Sequence, residues 1–172
     1  MQLDDPRLFV TLRDCLARRV VPAILRAFHI GIMVIEAPII GCYDADSGGH
    51  FGRHRDNTSG YTAHRQFALS LNLNPPDDYE GGEVRFPEFG RQLYRPPAGG
   101  AVVFSCSLLH EVNPLRRGRR FGLFTFLHDE SRDAQYRRML AQQKGMTGIR
   151  MRLKSLTGID ESNLALPSFE HR

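Results

Sequence analysis

The sequence is poor in cysteine, and its three thiols, Cys15, Cys42 and Cys106, are an odd number without a C-x-x-C pair. This count excludes both a disulfide framework and a zinc knuckle built from paired cysteines. A reducing compartment follows, and we expect the protein in the cytoplasm.

Long apolar runs are also missing. No segment reaches the roughly 18 to 20 consecutive apolar residues that a membrane span needs. The opening MQLDDPRLFV is acidic and has no apolar signal core. The 172 residues are 41% hydrophobic and 24% charged, which is ordinary for a globular domain. We therefore expect one soluble domain over residues 1–172, without a membrane partner.

Lysine is nearly absent. Only Lys144 and Lys154 contribute to the 23 basic side chains, which against 19 acidic ones give a net charge of +4. The arginine excess can reflect coding bias or a need for forked anion-binding groups, and both readings stay open. The densest run, RRGRR at residues 116–120, has a central glycine and is predicted to be a charged turn. Because the arginines are dispersed and do not alternate with aromatics, nucleic acid and base-oxidising chemistry are not favoured.

Three common catalytic signatures are missing as well. The chain has no H-E-x-x-H, no G-x-S-x-G and no G-x-x-x-x-G-K-[ST] sequence. Zincin, serine hydrolase and P-loop chemistries therefore lack their first requirement.

What the sequence does contain begins with a helical segment. Apolar residues recur at helical spacing over residues 7–30. Pro22 divides this stretch, because a proline removes a hydrogen bond from a helix interior. We therefore predict two short helices and read residues 1–31 as helical support for the domain.

The middle of the chain is typical of a β protein. Residues 32–130 hold short β-branched or alternating runs separated by glycine and proline, such as QFALSLNLN, AVVFSC and FGLFTFLHD. No helical pattern between them is long enough for a parallel crossover. The pattern predicts an antiparallel sandwich or barrel.

The end of the chain, residues 131–172, is predicted to hold a helix and a tail. The helix is placed at about residues 132–144, with Ser131 as its N-cap and Gly145 as its stop. Residues 146–172 have weak periodicity, and their role stays open.

The tripeptide His54-Arg55-Asp56 offers two groups that can bind one metal. On a strand, residues two apart project to the same face, so His54 and Asp56 are expected to point together while Arg55 points away. An H-x-D tripeptide is common by chance, and a metal site needs a third ligand from elsewhere.

His110 is the best third candidate, since it lies in the apolar strand context VVFSCSLLHEV. A lone histidine there is commonly a core residue bonded to a backbone carbonyl. With His54 and Asp56, however, it completes two imidazoles and one carboxylate, the facial triad that holds iron(II) and leaves positions open.

Arg120 precedes the apolar strand at residues 121–127. It shares a strand face with Gly122, Phe124 and Phe126, so its guanidinium is aimed at the interior and requires a buried anion. The competing reading makes it the solvated end of the RRGRR turn.

The segment from Tyr43 to Leu127 resembles the catalytic domain of the iron(II)- and 2-oxoglutarate-dependent dioxygenases. The resemblance is closest to the prolyl 4-hydroxylase-like superfamily, which includes the hypoxia-factor prolyl hydroxylases. Four features match in the family's order: Tyr43 in CYDADSGGHFGRHRDN, the H-x-D of His54 and Asp56, the segment ALSLNLNPPDDYEGGEVRF, and AVVFSCSLLHEVNPLRRGRRFGLFTF with His110 and Arg120.

This resemblance implies a mainly β fold with flanking helices, a double-stranded β-helix (jelly roll, cupin-like) over residues 32–130. It implies that His54, Asp56 and His110 are the catalytic residues that bind Fe(2+). It also implies O2 as the oxidant and ascorbate as a reductant that keeps the metal ferrous.

The resemblance further implies a cosubstrate site. Arg120 is expected to pair with the distal carboxylate of 2-oxoglutarate. Tyr43 occupies the place of a tyrosine that forms a hydrogen bond with this cosubstrate in relatives. Asn72 departs from the hypoxia-factor enzymes, which carry an aromatic hydroxyl there, although an amide can also reach a carboxylate. Gly81 and Gly82 match the family's G-G-E turn, where we expect positive φ.

The activity that the resemblance implies is hydroxylation of an unactivated C–H bond, coupled to oxidative decarboxylation of 2-oxoglutarate to succinate and CO2. The target carbon lies in a prolyl residue of a protein or in a small metabolite, and both stay open, as does the oligomeric state. The alternative is a non-catalytic module that binds iron(II) and 2-oxoglutarate as a sensor or interaction domain. The four intact groups argue against such a degenerate module.

Overall fold

A computed structural model describes residues 5–32 and 34–142 of the chain. The chain divides into two compact units, Met1–Ala134 and Gln135–Arg172. The predicted helix stop at Gly145 lies outside the described residues, as does the tail that follows it.

Two helices form the N-terminal support, α1 (Pro6–Arg19) and α2 (Val21–Phe28). Asp5 caps α1, because its carboxylate accepts hydrogen bonds from two backbone N–H groups of the first turn. Pro22 lies in the first turn of α2, where the missing N–H has no helical partner to lose. The predicted pair of helices is confirmed.

The strands that follow are short, except for the last. In chain order they are β1 (Val34–Ile35), β2 (Ile39–Asp44), β3 (Phe51–His54), β4 (Phe67–Asn72), β5 (Tyr79–Gly81), β6 (Val84–Arg85), β7 (Leu93–Tyr94), β8 (Ala101–Ser105), β9 (His110–Val112) and β10 (Leu115–His128).

These strands pair in an antiparallel manner and build two sheets. The larger sheet has the order β1-β10-β4-β8, and both β2 and β5 also pair with β10. The smaller sheet has the order β3-β9-β6-β7. The antiparallel, mainly β architecture predicted from the spacing of the runs is therefore confirmed.

The larger sheet has an apolar core on each of its faces. On one face, Leu127 of β10 packs with Leu16 of α1 and Ile24 of α2. On the other, Ala68 of β4 packs with Val112 of β9 in the smaller sheet. Each fully buried leucine contributes roughly 1.5 to 3 kcal/mol of transfer free energy. This second cluster, which we call the inner core, contains side chains from both sheets.

The RRGRR segment is not the turn that the sequence predicted. It lies within β10, whose pairing with β5 shifts register between Leu115 and Arg117. Gly118 has a φ of 73°, and a Cβ there would lie 2.1 Å from the carbonyl oxygen of Asp78. The glycine therefore permits the close approach of β10 to β5 just after this register shift. A glycine inside a strand gives the same local composition as a glycine in a turn.

The predicted N-cap of the C-terminal helix is also wrong by two residues. Helical backbone covers residues 130–142, and Asp129 accepts a hydrogen bond of 2.9 Å from the N–H of Arg132. Ser131 instead donates to the Asp129 carboxylate. Both residues are good caps, and the strand end at His128 decides which one is used.

Within the described residues, no helix combines the length and apolarity needed to cross a bilayer.

The fold makes a prediction about thiol reactivity. Cys15 and Cys42 are exposed, whereas Cys106 is fully buried in the inner core. Burial raises the pKa of the Cys106 thiol far above its usual range, so the reactive thiolate does not form. We expect a maleimide to modify two cysteines in the native protein and the third only after unfolding, as counted by mass spectrometry. Equal labelling of all three in the native state would contradict this packing.

Candidate metal centre and anion site

Two histidines face each other across the smaller sheet. His54 ends β3, His110 begins β9, and the two residues are direct partners in this antiparallel pair. Their ring centroids lie 4.2 Å apart. Strand register, which acts over a long sequence separation, thus brings the two predicted imidazoles together.

Asp56 lies between the two rings. Its carboxylate oxygens are 3.3 Å from Nε2 of His54 and 3.6 Å from Nε2 of His110. Strand β3 ends at His54, so Asp56 occupies the following turn and not the strand face on which the sequence placed it. A hydrogen bond of 3.0 Å from its backbone N–H to the carbonyl of Cys106 holds that turn. One ligand atom from each of the three lies within 4.8 Å of the others.

Both histidines present Nε2 to this centre. Nδ1 of His54 lies 2.7 Å from the carbonyl of Gly52, and Nδ1 of His110 lies 3.0 Å from that of Leu108. A carbonyl only accepts, so each Nδ1 carries a proton and each neutral ring has its lone pair on Nε2. Two imidazole nitrogens and a carboxylate are the donor set that suits a ferrous ion.

The pKa values of the two rings differ in direction. Burial lowers the pKa of His110, so this ring is neutral near pH 7. Burial also acts to lower the pKa of His54, but hydrogen bonds to Asp56 and to the Gly52 carbonyl outweigh it and the pKa is raised. The second proton that this raised pKa favours is on Nε2, beside Asp56, and a metal ion at this centre would take its place while Nδ1 keeps the first.

A cavity of about 250 Å³ opens beside the three groups. This volume is several times the ~30 Å³ share of one water molecule, so a small organic acid fits. Its polar lining comes from the triad together with Tyr43 and Ser70. The apolar lining includes Ala68, Val84, Phe104, Val112, Phe124 and Phe126.

Arg120 is buried behind this cavity, with 1% of its surface exposed. Its Nε donates to Oδ1 of Asn72 at 2.9 Å, Nη1 to the carbonyl of Gly82 at 3.0 Å, and Nη2 to Oγ of Ser70 at 3.0 Å. These partners are neutral, and within the described part of the chain no carboxylate forms an ion pair with Arg120. Burial lowers the pKa of the guanidinium, although a group of this kind stays charged at neutral pH. The expected buried orientation is confirmed, and no carboxylate that the structure describes balances the charge.

The surroundings of the Arg120 guanidinium border the cavity through two side chains. Ser70, which binds Arg120, lines the cavity, and so does Tyr43, whose ring centroid is 5.5 Å from the guanidinium carbon. The pairing of β2 with β10 sets Tyr43 directly opposite Arg120. Burial raises the pKa of Tyr43 and outweighs the lowering by Arg120, so the phenol remains a hydrogen-bond donor.

Asn72 is fully buried and uses its amide within the protein. Its Nδ2 donates to the hydroxyl of Tyr79 at 2.9 Å and to the carbonyl of Pro96 at 2.6 Å, while its Oδ1 accepts from Arg120. The amide therefore orients the guanidinium. A direct contact between Asn72 and a bound carboxylate, the role considered from sequence, would require one of these hydrogen bonds to be exchanged.

Tyr79 is a residue of this polar cluster that the sequence did not predict. It is 1% exposed, and its hydroxyl lies in the polar group around Arg120. The available signal was its position two residues before the Gly81–Gly82 turn. Those glycines have φ of 89° and 70°, as expected, and a Cβ on Gly82 would lie 3.2 Å from Cδ of Arg120. A tyrosine buried there needs a polar partner for its hydroxyl.

Comparison with known proteins begins with a family model. The model described as the 2OG-Fe(II) oxygenase superfamily matches residues 39–128, just over half of the chain. This span contains the triad, Arg120 and the cavity.

Curated relatives match over a longer stretch. A PKHD-type hydroxylase of Paraburkholderia phymatum is 33% identical over 144 residues, which cover 80% of this chain and 61% of that protein. A PKHD-type hydroxylase of a Synechococcus strain is 33% identical over 112 residues, covering 62% of this chain and 49% of the relative. The chain thus spans about half to three fifths of the length of these relatives.

Solved structures share the fold. A Pseudomonas putida prolyl-4-hydroxylase matches with a TM-score of 0.53 and 27% identity, over 66% of this chain and 63% of that one. A Trichoplax adhaerens prolyl hydroxylase, solved with a hypoxia inducible factor peptide fragment, matches with a TM-score of 0.57 over 72% of this chain and 57% of that one. At 22% identity, the second likeness shows the fold alone. The expected jelly roll is confirmed.

Proposed function

This chain belongs to the 2OG-Fe(II) oxygenase superfamily, and we propose that it is an Fe(II)- and 2-oxoglutarate-dependent dioxygenase that hydroxylates an unactivated C–H bond. One observation carries the proposal. A buried guanidinium, which no carboxylate of the described residues pairs with, adjoins the cavity into which two imidazoles and one carboxylate converge. The catalytic centre lies within residues 32–130, and residues 1–31 support it.

The residues present fit both groups that such an enzyme needs. His54, Asp56 and His110 would hold iron(II), because their nitrogen and oxygen atoms converge and both rings direct Nε2 inward. Arg120 would hold the distal carboxylate of 2-oxoglutarate. Bound iron supplies the activation of O2 that couples decarboxylation of 2-oxoglutarate to hydroxylation, and ascorbate would keep it ferrous.

The remaining groups of the cavity orient and shield. Tyr43 keeps its phenolic proton and can donate it to an oxygen of the cosubstrate. Asn72 acts one step further back, since it holds the guanidinium by Nε. The aromatic wall of Phe104, Phe124 and the neighbouring apolar residues excludes water, which strengthens each electrostatic contact in the cavity.

For the substrate, we propose a prolyl residue in a protein or peptide. The cavity wall includes Ile39 and Phe51, whose surfaces are 47% and 51% exposed. Such half-exposed apolar side chains suit a saturated ring that must approach the metal without hydrogen bonds. The likeness to the Pseudomonas putida prolyl-4-hydroxylase, at 27% identity, favours the same class. A small metabolite is the second substrate class that the screen below covers. The thiols at positions 15, 42 and 106 are free, which supports a cytoplasmic location.

The test has two parts. Anaerobic addition of iron(II) and 2-oxoglutarate together should produce a weak visible charge-transfer band that neither gives alone. Oxygen is then admitted with prolyl peptides, matched peptides with alanine for proline, or metabolite pools, and succinate and an added oxygen atom are measured. If the band forms but no pool yields succinate, the result would support a binding module instead of an enzyme. Absence of the band would contradict the proposed site.

Tyr79 provides a milder test of the cosubstrate site. In Tyr79→Phe the Nδ2 of Asn72 loses one acceptor, which costs about 1 to 3 kcal/mol of stability for a buried donor. The guanidinium also becomes less well fixed, so we expect 2-oxoglutarate to bind about tenfold more weakly, equivalent to ~1.4 kcal/mol. Thermal unfolding with and without 2-oxoglutarate measures both effects. Tyr61→Phe, at a 61% exposed position, is the control. Identical behaviour of the two variants would remove Tyr79 from the site.

A further inference from the structure

A second cluster of metal-ligating side chains lies apart from the triad. Glu36 follows β1, His64 precedes β4, and His128 ends β10. Both imidazoles are buried, with 5% and 2% of their surface exposed. One ligand atom from each of the three lies within 4.8 Å of the others, the same criterion that the triad meets. We propose that these residues form a second, structural site for a divalent transition metal, zinc(II) being the best match.

The strongest observation concerns His128. Among residues 5–32 and 34–142, neither of its ring nitrogens has a hydrogen-bond partner, although both are buried. The nearest groups are Oε1 of Glu36, 3.9 Å from Nδ1, and Oδ1 of Asp133, 3.6 Å from Nε2. Buried polar atoms in folded proteins are nearly always satisfied, so an imidazole between two carboxylates points to a cation at this place.

The distances between the ligand atoms suit a zinc ion. Nε2 of His64 lies 3.0 Å from Oε1 of Glu36, and Nδ1 of His128 lies 3.9 Å from the same oxygen. Two ligands at tetrahedral zinc, each about 2.0 to 2.2 Å from the metal, are roughly 3.3 to 3.6 Å apart. The observed pair brackets this value. Two imidazoles and one carboxylate are also a donor set that zinc accepts.

Asp133 occupies the position of a supporting carboxylate. With Nδ1 of His128 on the metal, Nε2 carries the proton and faces Oδ1 of Asp133. Histidines that bind metals commonly donate their other N–H to a carboxylate, which fixes the tautomer and increases the basicity of the ligand. The two carboxylates near His128 therefore have separate roles.

Arg65 is the group that competes with a cation here. Its Nε lies 3.2 Å from Oε1 and its Nη2 3.0 Å from Oε2 of Glu36. Each carboxylate oxygen has two lone pairs, and this fork uses one on each. The second lone pair of Oε1 faces Nε2 of His64, 3.0 Å away, and a metal would replace the proton between these two atoms. Burial lowers the pKa of His64, and a neutral ring is the form that binds a metal.

The test separates this site from the triad. The double variant His54→Ala/His110→Ala removes two ligands of the first centre and leaves the second cluster complete. We expect the full-length double variant to retain one zinc per chain through dialysis and to bind cobalt(II) with visible d–d absorption. Adding Glu36→Gln or His128→Asn should abolish the retained zinc. Asp133→Asn, at a partly exposed position, should weaken zinc binding about 10- to 100-fold in a chelator competition.

Matched controls keep the result interpretable. His29→Asn changes an exposed histidine in the left-handed conformation that asparagine tolerates, and should retain the zinc. Far-ultraviolet circular dichroism checks the fold of each variant, and Asp133→Asn serves if His128→Asn does not fold. A double variant without bound zinc or cobalt would overturn the proposal. So would a metal content that is the same with and without Glu36 and Asp133. An imidazolium at position 128 that titrates without binding metal would also overturn it, since His128 would then bridge the two carboxylates as a cation.

Discussion

The Asp56→Ala variant is expected to lose 2-oxoglutarate turnover while it keeps its fold. The carboxylate is the only negative charge of the triad, and it lies 3.3 and 3.6 Å from the two imidazole nitrogens that share the centre. Without it, iron(II) has two neutral ligands and loses its charge partner. We expect the affinity for iron(II) to fall by more than about 100-fold, beyond the loss typical for a residue that only supports a metal ligand.

The fold should survive because backbone contacts hold the turn. The N–H of Asp56 donates to the carbonyl of Cys106, and alanine keeps that hydrogen bond. The charge-transfer band under anaerobic conditions is the best readout, because it requires iron and 2-oxoglutarate at one site. Zinc bound elsewhere in the protein does not contribute to it. His54→Ala should give the same loss.

His50→Ala is the matched control for this result. His50 is an exposed histidine close in sequence, and it does not belong to the cavity lining. The control should retain the band and the formation of succinate. Full decarboxylation of 2-oxoglutarate by Asp56→Ala or His54→Ala would contradict the assignment of the triad.

The Arg120→Ala variant is expected to bind iron(II) nearly as well as the parent chain but to bind 2-oxoglutarate far more weakly. Removal of one partner of a buried ion pair typically costs about 3 to 5 kcal/mol, which corresponds to about two to three decades of affinity. The effect is large because the guanidinium is 1% exposed, and water cannot replace it. Iron binding persists because Arg120 has no contact with the triad in this structure.

Two further variants refine this prediction. Arg119→Ala removes the preceding arginine of β10, which is exposed and paired with Asp44, and should leave 2-oxoglutarate affinity unchanged. Arg120→Lys keeps the charge but loses the fork, so its affinity should lie between those of the parent and the alanine variant. Titration of 2-oxoglutarate against the band gives each dissociation constant. An unchanged constant in Arg120→Ala would move the anchor to another residue.

The sequence predicted some parts of the site well because those parts depend on local pattern. His110 and Arg120 lie in apolar runs with alternating character, and alternation alone indicates that their side chains turn inward. Burial of both was therefore predictable. The strand argument for Asp56 reached the right neighbour by an incorrect route, since that residue lies in a turn beyond β3.

Other parts depended on contacts between distant segments. The hydrogen bonds from Asn72 to Tyr79 and from Arg120 to Asn72 join three strands, and no local pattern specifies them. The cluster of Glu36, His64 and His128 likewise joins residues that separately look like solvated or structural polar groups. The prediction for the RRGRR segment was wrong for a related reason, since a glycine inside a strand and a glycine in a turn give the same local composition.

The sequence by itself determined the antiparallel β class, the break between the two N-terminal helices and the residue types that make iron chemistry feasible. These follow from periodicity and side-chain chemistry, which are properties of short stretches. Only the tertiary structure decided that His54 stands opposite His110, that the partners of Arg120 in the described part of the chain are neutral and that two buried histidines share Glu36. Each of these is set by strand register over long separations, and a shift of one residue in register would turn the side chains to the opposite face of the sheet.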